Sequence, residues 1–455
     1  MIRAPKSEGQ PKPRLGRWRT AIMLVSCVLL TACGSGYFGE VEKDIILPGK
    51  RISVLMAEKV LRVDDDQAAK PITLPQPYAN KTWPQVGGNP AHSLQHIAVG
   101  AAPNLVWQRS IGAGSSERAK IVATPIIAND HVFVVNAVGD ISAFALTNGD
   151  RLWRRAADFA DDDVPLFSGA LAYANQVLYF GQGNGALSAL DAQNGRVLWQ
   201  IDAAGPIRGA PVVVGDRVIV MTIDNRAAAY ATADGQLLWQ HRGFDEAASV
   251  FGGASAAIAA PWALIPYTSG ELYALRLGDG QTSWSDSLAT ARAASGISGL
   301  AAIGSYPVVD QDIVFVSSLS GRMLAIDLET GARVWERSVG GENPPWLAGE
   351  MLFTITVSQQ LVGLSRANGQ VRWVTPLPKF EDPEERIDVI KYRGPVLASD
   401  RLLAVDSRGK VLSFSPYSGA FIGELQMRGR FFVPPVIAKG TVLLLSDEGV
   451  LSALR

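Results

Sequence analysis

The sequence predicts an all-β protein, specifically an eight-bladed β-propeller with four-stranded antiparallel blades. Three observations predict it: a hairpin motif that recurs about every 45 residues, short alternating strands between the copies, and an incomplete last copy. The motif is clearest at 189–199, where a strand leads into the turn residues Asp191 and Gly195 and resumes toward Trp199. Because Asp favours tight turns and glycine adopts positive φ without a Cβ clash, this segment is typical of a hairpin with a bulky anchor.

Copies of the motif place one tryptophan at the same position in successive units. Six copies keep the turn glycine four residues before the tryptophan, and a degenerate copy at 414–419 has Ile422 at about the anchor position. Large aromatic side chains that recur once per unit are expected to pack between neighbouring blades rather than to stack on a cofactor. The predicted structural anchors are Trp107, Trp153, Trp199, Trp239, Trp284, Trp335 and Trp373.

The two ends of the repeat region predict how the ring closes. Residues 433–455 supply three strands and then stop, whereas residues 104–110 resemble a fourth strand with nothing before it. If the N-terminal strand completes the last blade, the ring has no open sheet edge. Seven complete units and this shared one make eight blades, and a closed ring of repeats is one domain, predicted to span 83–455.

The N-terminal region is predicted to carry a signal and a tether. Residues 1–32 combine a basic start with a short apolar run at 21–30, which is too short to span a bilayer and is typical of a secretory signal peptide. Residues 30–34 resemble a bacterial lipobox, which implies cleavage before Cys33, acylation of its thiol, and, with Gly34 following, retention at the outer membrane. The alternative is an ordinary cleavage site with an incidental cysteine. Residues 33–82 are predicted to form a lipid-anchored tether.

Charge and motif content argue against several functions. Without residues 1–32 the formal net charge changes from −1 to −6, which disfavours nucleic acid as a partner. No nucleophile elbow, phosphate-binding loop or dinucleotide fingerprint is present. His92 and His96 lack neighbouring cysteine or acidic ligands, and 161–163 lacks the alternating oxygen ligands of a calcium loop. We therefore expect no metal, cofactor or catalytic residue.

Three segments interrupt the repeat. Residues 376–392 form a charged insertion between the sixth and seventh units, predicted to be a solvated loop rather than a contact site. Residues 243–255 and 289–305 are long loops that lead into the fourth and fifth units. They carry apolar side chains where an exposed loop would be polar, which suits protein contact.

The repeats from Trp83 onward resemble proteins built from pyrroloquinoline-quinone-type repeats. The lipobox, the eight units and the lack of an adjacent cysteine pair resemble the BamB family of outer-membrane assembly lipoproteins more than the quinoprotein dehydrogenases. That resemblance implies a non-catalytic scaffold on the periplasmic face of the outer membrane, monomeric within a larger complex, that assists insertion of β-barrel proteins. The alternatives are a quinone-dependent periplasmic dehydrogenase and a propeller that binds peptidoglycan or a signalling partner.

The same resemblance implies a contact site for the periplasmic POTRA domains of BamA on two loops of the middle blades. An arginine and acidic residues that the family often carries there are replaced in this chain by Phe251, Ala302 and Gly304. The corresponding candidate residues are Ala248, Val250, Phe251, Gly252, Ile297, Leu300, Ala302, Ile303 and Gly304. We expect the apolar members Val250, Phe251, Leu300 and Ile303 to lie exposed on one rim of the ring.

Overall fold

The computed structural model describes residues 61–64, 66, 70–101, 103–157, 168–203, 205–244, 254–289 and 302–455. Most of its strands have three to six residues, the usual length in twisted propeller blades. The first strands in chain order are β1 (Leu105–Ser110), β2 (Ile126–Ala128), β3 (His131–Val135), β4 (Ile141–Ala145), β5 (Arg151–Arg155), β6 (Ala170–Ala174), β7 (Val177–Gly181), β8 (Ala186–Asp191), β9 (Val197–Asp202), β10 (Val212–Val214), β11 (Arg217–Met221), β12 (Arg226–Ala231), β13 (Leu237–Arg242), β14 (Ala257–Ala259), β15 (Trp262–Pro266), β16 (Glu271–Arg276) and β17 (Thr282–Ser287).

The second half repeats the same alternation of short strands and turns, with one extra hairpin. Its strands are β18 (Val308–Asp310), β19 (Ile313–Ser317), β20 (Met323–Asp327), β21 (Arg333–Arg337), β22 (Trp346–Ala348), β23 (Met351–Ile355), β24 (Gln360–Ser365), β25 (Val371–Pro376), β26 (Phe380–Asp382), β27 (Ile387–Val389), β28 (Tyr392–Ala398), β29 (Arg401–Asp406), β30 (Lys410–Phe414), β31 (Phe421–Gln426), β32 (Val436–Ala438), β33 (Thr441–Leu445) and β34 (Val450–Leu454).

These strands form eight four-stranded antiparallel sheets, which confirms the predicted fold class. Blades 1 to 7 are β2–β5, β6–β9, β10–β13, β14–β17, β18–β21, β22–β25 and β28–β31. Blade 8 has the order β1-β34-β33-β32, with Leu105 opposite Leu454 and Ser110 opposite Val450. The N-terminal strand therefore completes the last blade, and the ring is closed by antiparallel pairing.

Each tryptophan of the repeat contacts the turn of the next blade. The indole N–H of Trp153, for example, donates a 3.1 Å hydrogen bond to the carbonyl of Ala192, and its ring lies against Gly195. The same hydrogen bond, between 2.8 and 3.1 Å, is made by Trp107, Trp199, Trp239, Trp284, Trp335 and Trp373. The core lies mainly between neighbouring blades, so these indoles close its outer edge.

The predicted anchor at Ile422 is wrong. In the other blades the tryptophan lies opposite an alanine or glycine of the neighbouring strand, as Trp199 lies opposite Ala189. The equivalent position in blade 7 is Gly423, which lies opposite Ser413. Ile422 is one residue away from it and is 54% exposed. The reason is the ring closure. Blade 8 has no turn between its third strand, β34, and its fourth strand, β1, because these two strands are not consecutive in the chain. Backbone hydrogen bonds between Arg455 and Asn104 join the two strands where the other blades have the turn. An indole at residue 423 would have no turn to cover.

Residues 80–99, named here the plug segment, cross one end of the ring and contact all eight blades. It is hydrogen-bonded to one residue of each blade, which lies in the innermost strand or just after it. These residues are Ile127, Tyr173, Val213, Ile258, Val309, Gly349, Leu397 and Lys439. In three of these hydrogen bonds the acceptor belongs to a polar residue of the plug segment: the backbone carbonyl of Asn80 and the side-chain carbonyls of Gln85 and Gln95. Because all innermost strands run in the same direction, the plug segment closes the end of the ring at which those strands finish.

Residues 61–82, which were predicted to belong to the tether, lie on the ring where the structure describes them. The backbone N–H of Asp64 donates to the carbonyl of Val371 at 3.0 Å, and the Asp64 carboxylate accepts from the Val371 N–H at 2.7 Å. Leu61 packs at the cluster between blades 5 and 6, and Leu74 is buried between blades 6 and 7. The apolar side chains of Leu61 and Leu74 therefore pack against the blades, and residues 61–455 form one compact unit.

Candidate partner-binding face

The plug segment leaves one open end of the ring, the channel face. It carries the connections from each outermost strand to the next innermost strand, including residues 122–124, 209–210, 304–306, 342–344 and 432–434. The two candidate loops belong to the same class of connection, between β13 and β14 and between β17 and β18. The described ends of the two loops, residues 243–244, 254–255, 289 and 302–305, therefore lie on the channel-face side of their blades.

Most of the candidate contact residues fall outside the part of the chain that the structure describes. Ala248, Val250, Phe251 and Gly252 lie in the undescribed range 245–253, and Ile297 and Leu300 lie in 290–301. Cys33 and residues 161–163 are also outside the described ranges. Within those ranges, no helix has the length and apolar composition needed to cross a bilayer.

The expectation that Ile303 is exposed on the rim is wrong. Ile303 is 1% exposed and packs in the cluster between blades 4 and 5, with Leu264 and Val316. Ala302 is equally buried, and its carbonyl accepts the backbone N–H of Leu319 at 2.9 Å. The physical reason is that the chain turns inward here to reach β18, so these apolar residues belong to the core and not to the loop.

Gly304 and its neighbours instead line the mouth of the central channel. The channel holds a cavity of about 340 Å³ on the channel-face side, with Val86 of the plug segment among its lining residues. Each blade contributes residues from the start of its innermost strand or from the segment just before it, and most of these side chains are small or apolar. The cavity is large enough for a small ligand.

The polar groups of this cavity are few and mostly paired. Glu342 accepts from Arg393 at 3.1 Å and from Lys391 at 3.3 Å. Burial alone would raise the pKa of Glu342, but the two cations outweigh it and hold that pKa below its usual range. The hydroxyl of Ser305 is buried with no hydrogen-bond partner among the described residues.

These residues do not fit pyrroloquinoline quinone, the cofactor that the dehydrogenase alternative requires. The quinone is a polycarboxylate, so a site for it needs unpaired cations or a metal ion. Among the described lining residues Arg393 is the only cation, and it already pairs with Glu342. The described residues contain no group of His, Cys, Asp and Glu side chains that could hold a metal ion.

The two histidines considered as metal ligands are structural parts of the plug segment. His92 Nδ1 lies 2.8 Å from the carbonyl of Pro307, and burial lowers the pKa of His92 to about 4. His96 Nε2 accepts the backbone N–H of Asp400 at 2.9 Å, and its Nδ1 lies 2.7 Å from the carbonyl of Pro75. Both rings bridge the plug segment to neighbouring parts of the fold.

Sequence reasoning missed the role of the plug segment. The Gly/Pro-rich turns around Trp83 indicate only an irregular segment, and its contacts with the blades are largely backbone hydrogen bonds without periodicity. A usable signal was the presence of Asn80, Gln85 and Gln95, three of the four side-chain amides in a segment otherwise rich in turn residues.

The charged insertion is also more ordered than predicted. It forms the hairpin of β26 and β27 rather than an irregular loop. Its residues lie between β25 and β28, which places the hairpin on the channel face.

Comparison with known proteins agrees with this geometry. The sequence model of the family described as "Outer membrane protein assembly factor BamB" matches residues 97–160 and 137–375. A protein of that name from Shewanella oneidensis is 23% identical over 373 residues, covering 80% of this chain and 92% of that protein. The crystal structure of BamB from Moraxella catarrhalis superposes with a TM-score of 0.65 at 19% identity, covering 78% of this chain and 100% of that one.

A quinoprotein shares the fold as well. The quinohemoprotein alcohol dehydrogenase of Comamonas testosteroni superposes with a TM-score of 0.63 at 11% identity, over 82% of this chain and 80% of that one. At such identity the similarity concerns the fold alone, so the family is decided by the sequence match. Because that match covers more than half of the chain, this protein belongs to the BamB family of outer membrane protein assembly factors.

Proposed function

We propose that this protein is a non-catalytic scaffold of the outer-membrane β-barrel assembly machinery that binds the periplasmic POTRA domains of BamA. The observation that carries the proposal is the family match over residues 97–375 on a ring in which all eight blades are complete. A complete ring offers a rigid platform whose connections can vary without loss of the fold, which suits a binding role.

The composition of the central cavity supports a non-catalytic role. Its described lining carries one cation, already paired, and no metal-ligating group. Incubation of the purified protein with pyrroloquinoline quinone and Ca²⁺ should therefore give no dye reduction with a panel of alcohols and sugars. Reproducible turnover would favour the dehydrogenase alternative.

We further propose that acylated Cys33 holds the ring at the periplasmic face of the outer membrane. Leu61 is the first described residue that packs on the ring, and 27 residues lie between it and Cys33. Fully extended, they could span on the order of 90 Å at about 3.3 Å per residue. Cys33→Ser should release the protein from outer-membrane fractions, and retention in high salt would overturn the anchor.

The contact surface that we propose is the channel face around the loops before blades 4 and 5. Phe244, in the described first part of the 243–255 loop, is 63% exposed, which is unusual for a phenylalanine on a surface that binds nothing. Burial of an exposed aromatic side chain at an interface contributes about 1.5–3 kcal/mol. Ile303 is excluded from this surface because it is buried.

The test is a binding measurement between the soluble ring and purified POTRA domains of BamA. Phe251→Asp combined with Leu300→Asp should weaken binding at least about tenfold, which corresponds to about 1.4 kcal/mol, and leave the melting temperature unchanged. The matched control is Leu152→Asp with Leu198→Asp, two exposed leucines on the outer strands of blades 1 and 2. Equal binding by the loop variant and the wild type would overturn the choice of face.

A further inference from the structure

The hairpin of β26 and β27 projects from the channel face on a buried base. Leu377 precedes the hairpin and is 6% exposed, and Ile390 follows it and is fully buried. Between them, every residue from 383 to 389 is exposed. An isolated two-stranded hairpin is only marginally stable in water, so this one depends on its base for a fixed position.

Hydrogen bonds hold that base to blades 6 and 7. Gln359 in blade 6 contacts both ends of the hairpin. Its side-chain amide donates to the carbonyl of Ile390 at 2.6 Å, and its backbone carbonyl accepts the N–H of Leu377 at 3.0 Å. In blade 7 the hydroxyl of Tyr392 donates to the carbonyl of Pro378 at 2.8 Å. A hairpin held in this way keeps its direction, which lowers the entropic cost of using it as a docking element.

The projecting part exposes two aliphatic side chains and two strand edges. Ile387 and Val389 in β27 are 49% and 50% exposed, although aliphatic side chains usually pack against the domain. Among the described residues, each strand of the hairpin has the other as its only neighbour. An unpaired strand edge beside exposed aliphatic side chains can accept a further strand from another polypeptide.

Charge indicates which kind of polypeptide this edge suits. Residues 379–389 contain five acidic and two basic side chains, and none of them forms an ion pair among the described residues. By contrast, Glu342 at the base is paired with Lys391 and Arg393. An unpaired acidic edge attracts a basic partner and repels a second copy of itself, so self-association through two hairpins is disfavoured.

We propose that this hairpin is a second docking element, which adds a basic strand edge of the POTRA domains to β26 or β27 and packs it against Ile387 and Val389. The inference rests on the proposed function for the identity of the partner. It goes beyond that function in assigning a binding role to the insertion, which leads into blade 7, two blades beyond the second candidate loop.

The test compares binding of purified POTRA domains by two variants that each lose three negative charges. Glu381→Gln with Glu384→Gln and Glu385→Gln neutralises the hairpin, while Asp382 is kept because its carboxylate accepts the N–H groups of the turn. The control is Asp312→Asn with Glu329→Gln and Glu350→Gln, three exposed side chains at the plug-segment end of the ring. A third variant, Ile387→Ser with Val389→Ser, removes the aliphatic contact.

The hairpin variant should bind about five- to tenfold more weakly than the control at about 50 mM salt, and the difference should shrink at about 500 mM, where charges are screened. The serine variant should bind more weakly at both salt concentrations. Wild-type binding that neither hairpin variant weakens would overturn this inference and leave the proposed function standing. Absence of wild-type binding would overturn the assigned partner, and therefore both proposals. A dimer that only the hairpin variants abolish would instead assign the hairpin to self-association.

Discussion

The indole ring of Trp153 lies so close to Gly195 of the next blade that a Cβ atom at residue 195 would be 2.9 Å from it. Gly195 also has a φ of +74°, where other residues are strained. Two requirements therefore fix glycine at this position of the repeat: the turn conformation and the approach of the neighbouring indole.

Substitutions of three glycines should separate these two requirements. Gly195→Ala combines strain with a clash and should lower the free energy of unfolding by about 2–4 kcal/mol. Gly215 has a φ of +57°, but the space around a new methyl group is open there, so Gly215→Ala introduces strain without a clash. It should lower the free energy of unfolding by about 1 kcal/mol. In Gly423→Ala the new methyl group has no other atom within 4 Å, so the free energy of unfolding should not change. Denaturant titration measures all three, and equal effects at 195 and 215 would contradict the anchoring role of Trp153.

Ring closure depends on Trp107, which is 5% exposed and donates to the carbonyl of Leu146 at 3.1 Å. Trp107→Ala should lower the free energy of unfolding by about 3–5 kcal/mol, because it opens a cavity where blade 8 meets blade 1. Deletion of residues 104–110 should have a larger effect and lead to aggregation. A deletion variant that melts like the wild type would show that the N-terminal strand does not close the ring.

The plug segment should contribute to stability through single side-chain amides. The Gln85 carbonyl oxygen accepts the buried N–H of Val213 at 2.9 Å, so Gln85→Ala leaves that donor without a partner. The expected loss is about 1–3 kcal/mol in the free energy of unfolding. Gln193→Ala, at an exposed glutamine, is the control and should change stability by less than about 0.5 kcal/mol. Similar effects of the two substitutions would argue against the plug segment as part of the folded unit.

His92 should make stability depend on pH. Its pKa is about 4 in the folded protein, below the ordinary value of 6.5, so the unfolded chain binds a proton that the folded one does not. Stability from this group is complete above pH 6.5 and falls as pH drops from 6.5 to about 4, by about 3 kcal/mol in total. His92→Asn, which suits the positive φ of this position, should flatten the curve in that window. Parallel curves for variant and wild type would contradict this assignment.

The repeat made the ring predictable, and departures from the repeat were where prediction failed. Gly195 and Trp199 carry the turn and the anchor in one short segment, so local chemistry fixes blade number and order. Ile422 failed because the need for an anchor depends on the next blade, which in blade 8 lacks a turn. Composition alone could not distinguish Ile303, at the end of a loop, from a residue entering the core.

The plug segment and the acidic hairpin were beyond prediction for a different reason. Gln85 and Gln95 act on strands of blades 3 and 6, more than one hundred residues away in the chain, through contacts with no sequence period. The hairpin at 380–389 was visible as a run of charge, but its rigid base depends on Gln359 and Tyr392 from two blades.

The most direct test of the central claim is recovery of BamA with this protein from its own envelope. The full-length protein, tagged at the C-terminus, is captured from detergent-solubilised membranes, and the amount of BamA recovered is measured beside the Phe251→Asp, Leu300→Asp double variant. The account predicts stoichiometric BamA with the wild type and a several-fold loss with the variant at equal protein level. Capture of the wild type without BamA would contradict the account.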